Sequence, residues 1–294
     1  MSKTLLNRLA MLEVLDKFGP LTITELAQRS KLDVTVVSRT VSACEPDGWL
    51  IRLDGRVALG PRCTLLGHSG PIADVITRAA PLVHAVAGVT GLLTHAYGLV
   101  GANAALIAAA PGREPLAVPV GLAAQAPLFA TAGGRAVAAQ LDPDRLDALL
   151  PAEPFPDAAA IVANVTGTTA QALFGPPASA DSPAAGRSVG LDAGPLPRGR
   201  AELRVQLERV RRDGIAVDSG ELDPAVWCIA VPWPQTALPA ALVCLGPANA
   251  LANGRELIVR ALTAAASPGA APDEVVASVA TAAYSGPAAR RLRR

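Results

Sequence analysis

The N-terminal part of the chain repeats apolar residues at helical spacing and interrupts them with turn residues. Leucines recur from Leu5 to Leu15 on one helical face, which predicts an amphipathic first helix, and Gly19 ends it. Thr22 and Glu25 then have the spacing of a capping box, in which each side chain satisfies a free backbone N–H at the start of a helix. The pattern predicts two helices in succession.

A third helix and a tight hairpin are predicted next. Asp33 is the expected N-cap of the third helix, which ends at Gly48. The inward positions of this helix are Val37, Val41 and Cys44. Residues 49–53 and 56–59 predict two short strands, because the Asp54-Gly55 pair between them is typical of a two-residue hairpin turn.

This order of helices and hairpin is that of a winged helix-turn-helix, which puts one helix in the DNA major groove and the hairpin beside the phosphates. We expect the DNA contacts at Thr35, Val36, Ser38, Arg39, Arg52 and Arg56. Arg39 is the expected contact to a guanine or a phosphate. The alternative interpretation is a small helical domain with ordinary solvated charges, and the small excess of basic residues in this segment argues only weakly against it.

After residue 72 the pattern changes to longer helices and short strands. Strands are predicted at 91–98, 103–110, 118–121, 215–218, 226–231 and 240–245, and helices at 72–86, 131–140, 202–212, 255–266 and 273–284. Residues 151–196 are rich in Ala, Pro, Gly and Ser, so we interpret them as a long insertion, largely loop or disordered, that adds little to the core. Antiparallel strands with helices between them predict an α+β fold.

Composition excludes several classes of protein. The chain has 294 residues, enough for two domains, a formal net charge of +1, and 51% hydrophobic but only 3% aromatic residues. Two long uncharged runs, 79–112 and 224–254, are interrupted by prolines and glycines, so neither predicts a membrane span. The four cysteines form no C-x-x-C pair and no signal-peptide pattern opens the chain. We therefore expect no disulfide framework, no zinc site and a cytoplasmic location.

Several longer motifs resemble those of the IclR family of bacterial transcriptional regulators. The similar stretches are 33–39, 47–50, 55–60, 127–136, 210–218, 226–232 and 245–247. Of these, 127–136 reads PLFATAGGRA and is similar to a family motif Pro-Leu-His-Ala-Thr-Ala-x-Gly-Lys-Ala. The resemblance covers nearly all of the chain outside 151–196.

The resemblance implies an α+β architecture in three parts. These are a winged helix-turn-helix DNA-binding domain at 1–64, a linker helix at 65–88, and a GAF-like effector-binding domain with an antiparallel sheet at 89–288 that carries the insertion at 151–196. It also implies a homodimer or tetramer that binds palindromic double-stranded operator DNA. A small organic effector in the C-terminal domain would change the DNA affinity, with no cofactor and no membrane involved.

By the same resemblance, the effector pocket is lined by Ala132, Gly133, Asp218, Val226, Cys228, Val243 and Leu245. The chain departs from the family pattern here, because Phe129 replaces the motif histidine. Val243 and Leu245 replace two serines that bind a small carboxylate in some members, and Val34 stands where a basic residue is usual. Since hydrogen-bond donors are then scarce, we expect a larger or more apolar effector than a two-carbon acid.

The alternative function is a metabolic enzyme, a hydrolase or transferase, with the N-terminal domain as an interaction module. Residues 67–70 are one residue short of a nucleophile elbow, and Cys228 has no histidine near it in sequence. The other histidines, His84 and His95, lie in apolar segments where a hydrogen-bonded core role is expected. The sequence therefore predicts a regulator, with no catalytic residues and no metal ligands.

Overall fold

The computed structural model describes residues 3–67, 71–113, 116, 124–167, 194–234 and 236–283. The chain divides into two compact units, residues 1–73 and 74–294. The boundary between them falls in the first turn of a long helix, Pro71–Thr90.

The first unit opens with the helices α1 (Lys3–Phe18), α2 (Ile23–Ser30) and α3 (Val34–Cys44). The capping box of α2 is confirmed, because the Glu25 N–H donates to Thr22 Oγ1 (3.2 Å) and the Thr22 N–H donates to the Glu25 carboxylate (2.8 Å). Asp33 caps α3 as predicted and accepts a hydrogen bond from the Thr35 N–H (2.7 Å). These local signals fix where both helices begin.

The hairpin consists of β1 (Leu50–Leu53) and β2 (Arg56–Leu59), which pair antiparallel. Asp54 and Gly55 have φ angles of 50° and 76°, the two positive values that a type I′ turn requires. Leu21 and Val57 exchange two backbone hydrogen bonds, of 2.9 and 2.7 Å. The hairpin is thereby attached to the chain just before α2.

One hydrophobic core holds the first unit together. Its buried side chains are Met11, Val14, Leu15, Leu21, Leu26, Ala27, Val37, Val41, Leu50 and Val57. Val37 and Val41 point inward as predicted, and Cys44 is half-buried against the same core. The core therefore reaches from α1 across α3 to both strands of the hairpin.

Two helices follow the hairpin, α4 (Pro61–Gly67) and α5 (Pro71–Thr90), and Pro81 lies inside α5. Most of the apolar face predicted for 72–86 is buried, at Val75, Ala79, Leu82, Val83 and Val86, but Ile76, predicted on the same face, is 38% exposed. The core role expected of His84 is wrong, because this side chain is exposed on the other side of α5, with Nδ1 2.8 Å from the Ala80 carbonyl oxygen.

In the described part of the chain, the second unit is built on a six-stranded antiparallel sheet. Its strands are β3 (Leu93–Val100), β4 (Asn103–Ala110), β5 (Gln125–Pro127), β6 (Ala216–Asp218), β7 (Trp227–Trp233) and β8 (Ala240–Gly246). Their spatial order is β5-β4-β3-β8-β7-β6. The strand predicted at 118–121 lies outside the described residues.

Helices cover both faces of this sheet. On one face lie α5, α10 (Ala248–Ala265) and α11 (Pro272–Ala283), and on the other lie α6 (Ala132–Ala138), α7 (Pro143–Leu149), α8 (Ala158–Gly167) and α9 (Arg200–Asp213). The α+β fold with an antiparallel sheet is confirmed. Within the described residues, no helix has both the length and the apolar character to cross a membrane.

The expectation that residues 151–196 add little to the core is wrong for the described ends of this segment. Phe155 and Ile161 are buried, only 6% and 2% exposed, and Leu196 packs against the same core. Large apolar residues are few in this segment, but these three pack in the same core cluster as Leu203 and Leu207 of the helix Arg200–Asp213. Residues 168–193 lie outside the described residues.

Candidate DNA-binding and effector-binding sites

The outer face of α3 carries four of the side chains predicted to contact DNA. Thr35, Val36, Ser38 and Arg39 are all exposed, while Val37 and Val41 of the same helix are buried. The helical repeat therefore separates the packed face of α3 from a free face. The Thr35 N–H, and with a smaller effect the charge of Arg39, lowers the pKa of the Asp33 carboxyl.

The two hairpin arginines are held by carboxylates of the first unit. Arg52 Nε lies 3.0 Å from a Glu45 oxygen, and Arg56 Nη1 lies 3.1 Å from Glu25 Oε2. Both pairs are exposed, and exposed pairs contribute little net energy, so a phosphate can compete for either guanidinium. Arg39 forms no ion pair with the described residues, so it can bind DNA without first breaking one, unlike Arg52 and Arg56.

The seven residues predicted to line the effector pocket come together between α6 and one face of the sheet. Asp218, Cys228 and Leu245 are direct neighbours across β6, β7 and β8. Val243 stands two residues before Leu245 on β8, and Val226 immediately precedes β7. All of these residues are buried in the same core cluster or at its edge. The strands thus present one contiguous, mostly apolar surface.

The first turn of α6 packs directly onto this surface. The Thr131 hydroxyl caps the helix by accepting from the Gly134 N–H (3.0 Å), and the Ala132 N–H donates to Asp218. A Cβ at Gly133 would lie only 3.0 Å from Tyr97 and 3.1 Å from Val243. The absence of a side chain at Gly133 lets the helix approach the sheet this closely.

Phe129 fills the position of the motif histidine and is fully buried. Its ring lies 4.6 Å, centroid to centroid, from the ring of Phe155. Phe155 belongs to the Ala/Pro/Gly/Ser-rich segment, which the family resemblance does not cover. The residue that replaces the motif histidine therefore packs against a residue of that segment. The pair adds apolar surface beside α6.

A buried ion pair adjoins the predicted pocket. The Arg135 guanidinium on α6 is 2% exposed and donates to the Glu221 carboxylate at 2.7 and 3.3 Å. It also donates to the carbonyl oxygens of Val217 (2.7 Å) and Phe129 (3.3 Å). Asp218 accepts from the N–H groups of residues 220 and 221. The guanidinium thus pairs with Glu221, and it acts on the neighbouring Asp218 through its charge.

Burial dominates the protonation of both acids. It raises the pKa of Glu221 to about 7, against the opposing effect of Arg135, and the charge of Asp218 raises it further. Burial also raises the pKa of Asp218, although Arg135 and backbone N–H donors act in the opposite direction. The cluster therefore holds a carboxyl group that titrates near neutral pH.

Comparison with known proteins identifies the architecture. An IclR transcriptional regulator from Alicyclobacillus acidocaldarius superposes with a TM-score of 0.59 at 22% identity, covering 95% of this chain and 99% of that one. The Thermotoga maritima IclR gives 0.59 at 18% identity, covering 94% and 98%. An IclR homolog from Microbacterium hydrocarbonoxydans complexed with 4-hydroxybenzoate gives 0.59 at 19%, covering 93% and 99%. The chain has the fold of the IclR regulators. No family model matches the sequence, and no curated protein does.

The resemblance to IclR proteins is thus confirmed at the level of the fold, while the roles of the individual site residues stay predictions. Arg135 stands where the IclR motif has lysine, so the motif signals a cation at this position but not its burial. Its partner Glu221 is 86 residues away in the chain. No local sequence pattern signals this pairing.

Two groups considered for the enzyme alternative lack activating surroundings within the IclR fold. Burial raises the pKa of the Cys228 thiol well above its usual value, whereas a nucleophilic cysteine needs a lowered pKa. Burial lowers the pKa of His95 to about 4, and its Nδ1 lies 2.9 Å from the Tyr97 hydroxyl, the core role expected of it. Among the described residues, no group of His, Cys, Asp and Glu side chains has the arrangement of a metal site.

Proposed function

We propose that this chain is a ligand-responsive transcriptional regulator of the IclR type. It binds palindromic operator DNA through its first unit, as a homodimer or tetramer in the cytoplasm. A small organic effector binds in its second unit and changes the DNA affinity. No catalytic step is part of this proposal.

The proposal that the first unit binds DNA rests on one observation, the solvent-exposed outer face of α3 in the same unit as a type I′ hairpin. A helix that enters the major groove needs exposed side chains able to reach base edges, and Thr35, Ser38 and Arg39 meet that need. Arg52 and Arg56 supply positive charge from the hairpin for the phosphates. Both arginines are exposed, although their carboxylate partners are half-buried, so the exchange for a phosphate costs little.

Replacing Arg39 with alanine tests this assignment. Arg39→Ala should weaken binding to DNA selected from a random pool by the wild-type protein by roughly 1–3 kcal/mol. Arg8→Ala, which removes one exposed positive charge from α1 of the same unit, is the matched control and should cost much less. Equal losses in both variants would show that α3 is not the reading helix.

The effector part of the proposal rests on the convergence of α6 and three strands around Gly133, Cys228 and Val243. This lining is mostly apolar and offers no hydroxyl at Val243 or Leu245, so a carboxylate-only ligand would leave buried charge poorly paired. The homolog from Microbacterium hydrocarbonoxydans is complexed with 4-hydroxybenzoate. An aromatic acid of that kind is the effector class that we propose here.

A thermal-shift comparison of 4-hydroxybenzoate with glyoxylate tests the effector class. We expect the aromatic acid to raise the melting temperature in a concentration-dependent way, as binding to the folded state requires, and glyoxylate to have no effect. Stabilisation by glyoxylate without stabilisation by any aromatic acid would overturn the apolar assignment.

A further inference from the structure

A cleft lined by arginines opens between the last turn of α9 and strand β6, away from the predicted effector residues. Its volume is about 280 Å³, which is at the small end of ligand sites. The lining residues that matter here are Arg135, Arg209, Arg212, Asp213, Val217 and Arg255. The lining thus includes four guanidinium groups and one carboxylate, and one of the four, Arg135, is paired with Glu221 outside the lining.

The single carboxylate of the lining is already engaged. Asp213 accepts two hydrogen bonds from Arg212, at 2.8 and 3.1 Å, and this pairing lowers the pKa of the Asp213 carboxyl. Arg209 acts on Asp213 through its charge but forms no ion pair with the described residues. Arg255, which reaches the cleft from α10, forms none either. Two cations at the mouth of the cleft therefore lack a direct counter-ion.

Arg135 contributes a fixed wall to the cleft. Its side chain is almost completely buried and is held by Glu221 and by the carbonyl oxygens of Val217 and Phe129. Four of its donors are therefore in use and its charge is balanced by Glu221, so Arg135 shapes the cleft without supplying a free cation. Binding of an anion rests on the exposed arginines of the lining, Arg209, Arg212 and Arg255.

We propose that this cleft binds a small oxyanion, the phosphate of inorganic phosphate or of a phosphomonoester. The planar fork of a guanidinium matches the geometry of a phosphate, with two parallel N–H···O bonds. A second groove, of about 840 Å³, shares Ile215 and Arg255 with the cleft. That groove gives room for the organic part of a phosphomonoester.

The inference is independent of the DNA-binding and effector proposals, because it uses other side chains. It does adjoin the effector residues in the chain, since α6 carries both Gly133 and Arg135, and β6 carries both Asp218 and Val217. A bound phosphate would therefore act on the same two elements as the effector.

Isothermal titration with inorganic phosphate and with glycerol 3-phosphate, against sodium chloride of equal ionic strength, tests the site. The double variant Arg209→Gln/Arg255→Gln removes the two cations without ion-pair partners. The matched control is Arg145→Gln/Arg204→Gln, which removes the same charge from exposed positions of the second unit, outside both the cleft and the second groove. We expect the site variant to bind phosphate about a hundredfold more weakly than wild type, about tenfold for each lost charged partner, and the control to stay within about threefold of wild type.

The titrations distinguish the two possible sources of the phosphate and can also overturn the proposed site. Tighter binding of the phosphomonoester identifies an ester that extends into the second groove, and tighter binding of inorganic phosphate identifies the free ion. Absence of phosphate binding above the chloride control would overturn the proposal. Equal weakening in both double variants would also overturn it, because the effect would then follow net charge and not the cleft.

Discussion

Arg135 and Glu221 show how a buried charge is accommodated next to an apolar site. The guanidinium has four acceptor contacts, two to one carboxylate and two to carbonyl oxygens, which repay part of its desolvation. Removal of one partner of such a pair leaves a buried charge without compensation and typically costs 3–5 kcal/mol, to within a factor of about two. The pair therefore fixes α6 against the turn after β6.

The pH dependence of stability tests this arrangement through Glu221→Gln, which keeps the shape of the side chain but removes its titration. Burial raises the folded-state pKa of Glu221 from 4.5 to about 7, so the folded protein holds this proton more tightly than the unfolded chain. The resulting stabilisation, roughly 3 kcal/mol, is complete at pH values below the pKa of Glu221 in the unfolded chain. It is lost as the pH rises through the pKa of Glu221 in the folded protein. Urea unfolding from about pH 5 to about pH 8 should therefore show wild type losing stability relative to the variant.

The control for that experiment is Glu256→Gln, which removes a carboxylate from an exposed pair with Arg260. Its stability should follow wild type across the same pH range. If the profiles of wild type and Glu221→Gln run parallel, Glu221 does not gain its proton near neutral pH and the ion pair is permanent.

At the scale of elements, the sequence predicts what adjacent residues decide. The capping box at Thr22, the N-cap at Asp33 and the turn at Gly55 were readable, because each depends on residues within three or four positions. Strand order was not readable, since β3 pairs with β8 across more than a hundred residues. The packing of Phe155 was missed for the same reason: a composition rich in Ala and Pro hides one aromatic ring whose partner is distant in sequence.

Truncation of the Phe155 ring tests whether the segment around α8 belongs to the core. Phe155→Ala should lower the free energy of unfolding by about 3 kcal/mol, because the variant leaves a cavity against Phe129. The control is Val205→Ala on α9, where the side chain is 52% exposed and the expected loss is within about 0.5 kcal/mol. Urea unfolding monitored by circular dichroism measures the free energy of unfolding of both variants. A loss in Phe155→Ala as small as the control would restore the view of 151–167 as a dispensable insertion.

Two glycines in helices should respond in opposite directions to alanine. A Cβ at Gly134 in α6 would lie 2.6 Å from the Leu128 carbonyl oxygen, so Gly134→Ala should destabilise by more than about 1 kcal/mol. Gly88 in α5 is exposed and has no atom within 4 Å of a Cβ, so Gly88→Ala should stabilise by about 0.5–1 kcal/mol through helix propensity. Melting temperatures of the two variants check both signs. Stabilisation in Gly134→Ala would show that α6 is free to move away from the loop before it.

At the scale of the whole molecule, the sequence predicts the fold and the grouping of the residues proposed to bind an effector, but not the electrostatics around them. The residues from Ala132 to Leu245 could be named because their motifs follow a known pattern, and α6 and the strands do bring them together. The pairing of Arg135 with Glu221, close to Asp218, depends on how the turn after β6 folds back. That geometry has no local sequence signal.

The proposed regulation makes a quantitative prediction for the two units together. If an aromatic acid in the second unit changes operator affinity by a given factor, then operator DNA must change the affinity for that acid by the same factor, because the two bindings are linked through one cycle. We expect a change between about 5-fold and about 150-fold, the usual range of such coupling. DNA titrations with and without saturating 4-hydroxybenzoate, and ligand titrations with and without saturating operator, measure the two factors on the same full-length protein. An acid that stabilises the protein but leaves operator affinity unchanged would contradict the regulatory function while leaving the binding site intact. Unequal factors would show that ligand and DNA act on different equilibria, such as two oligomeric states of the chain.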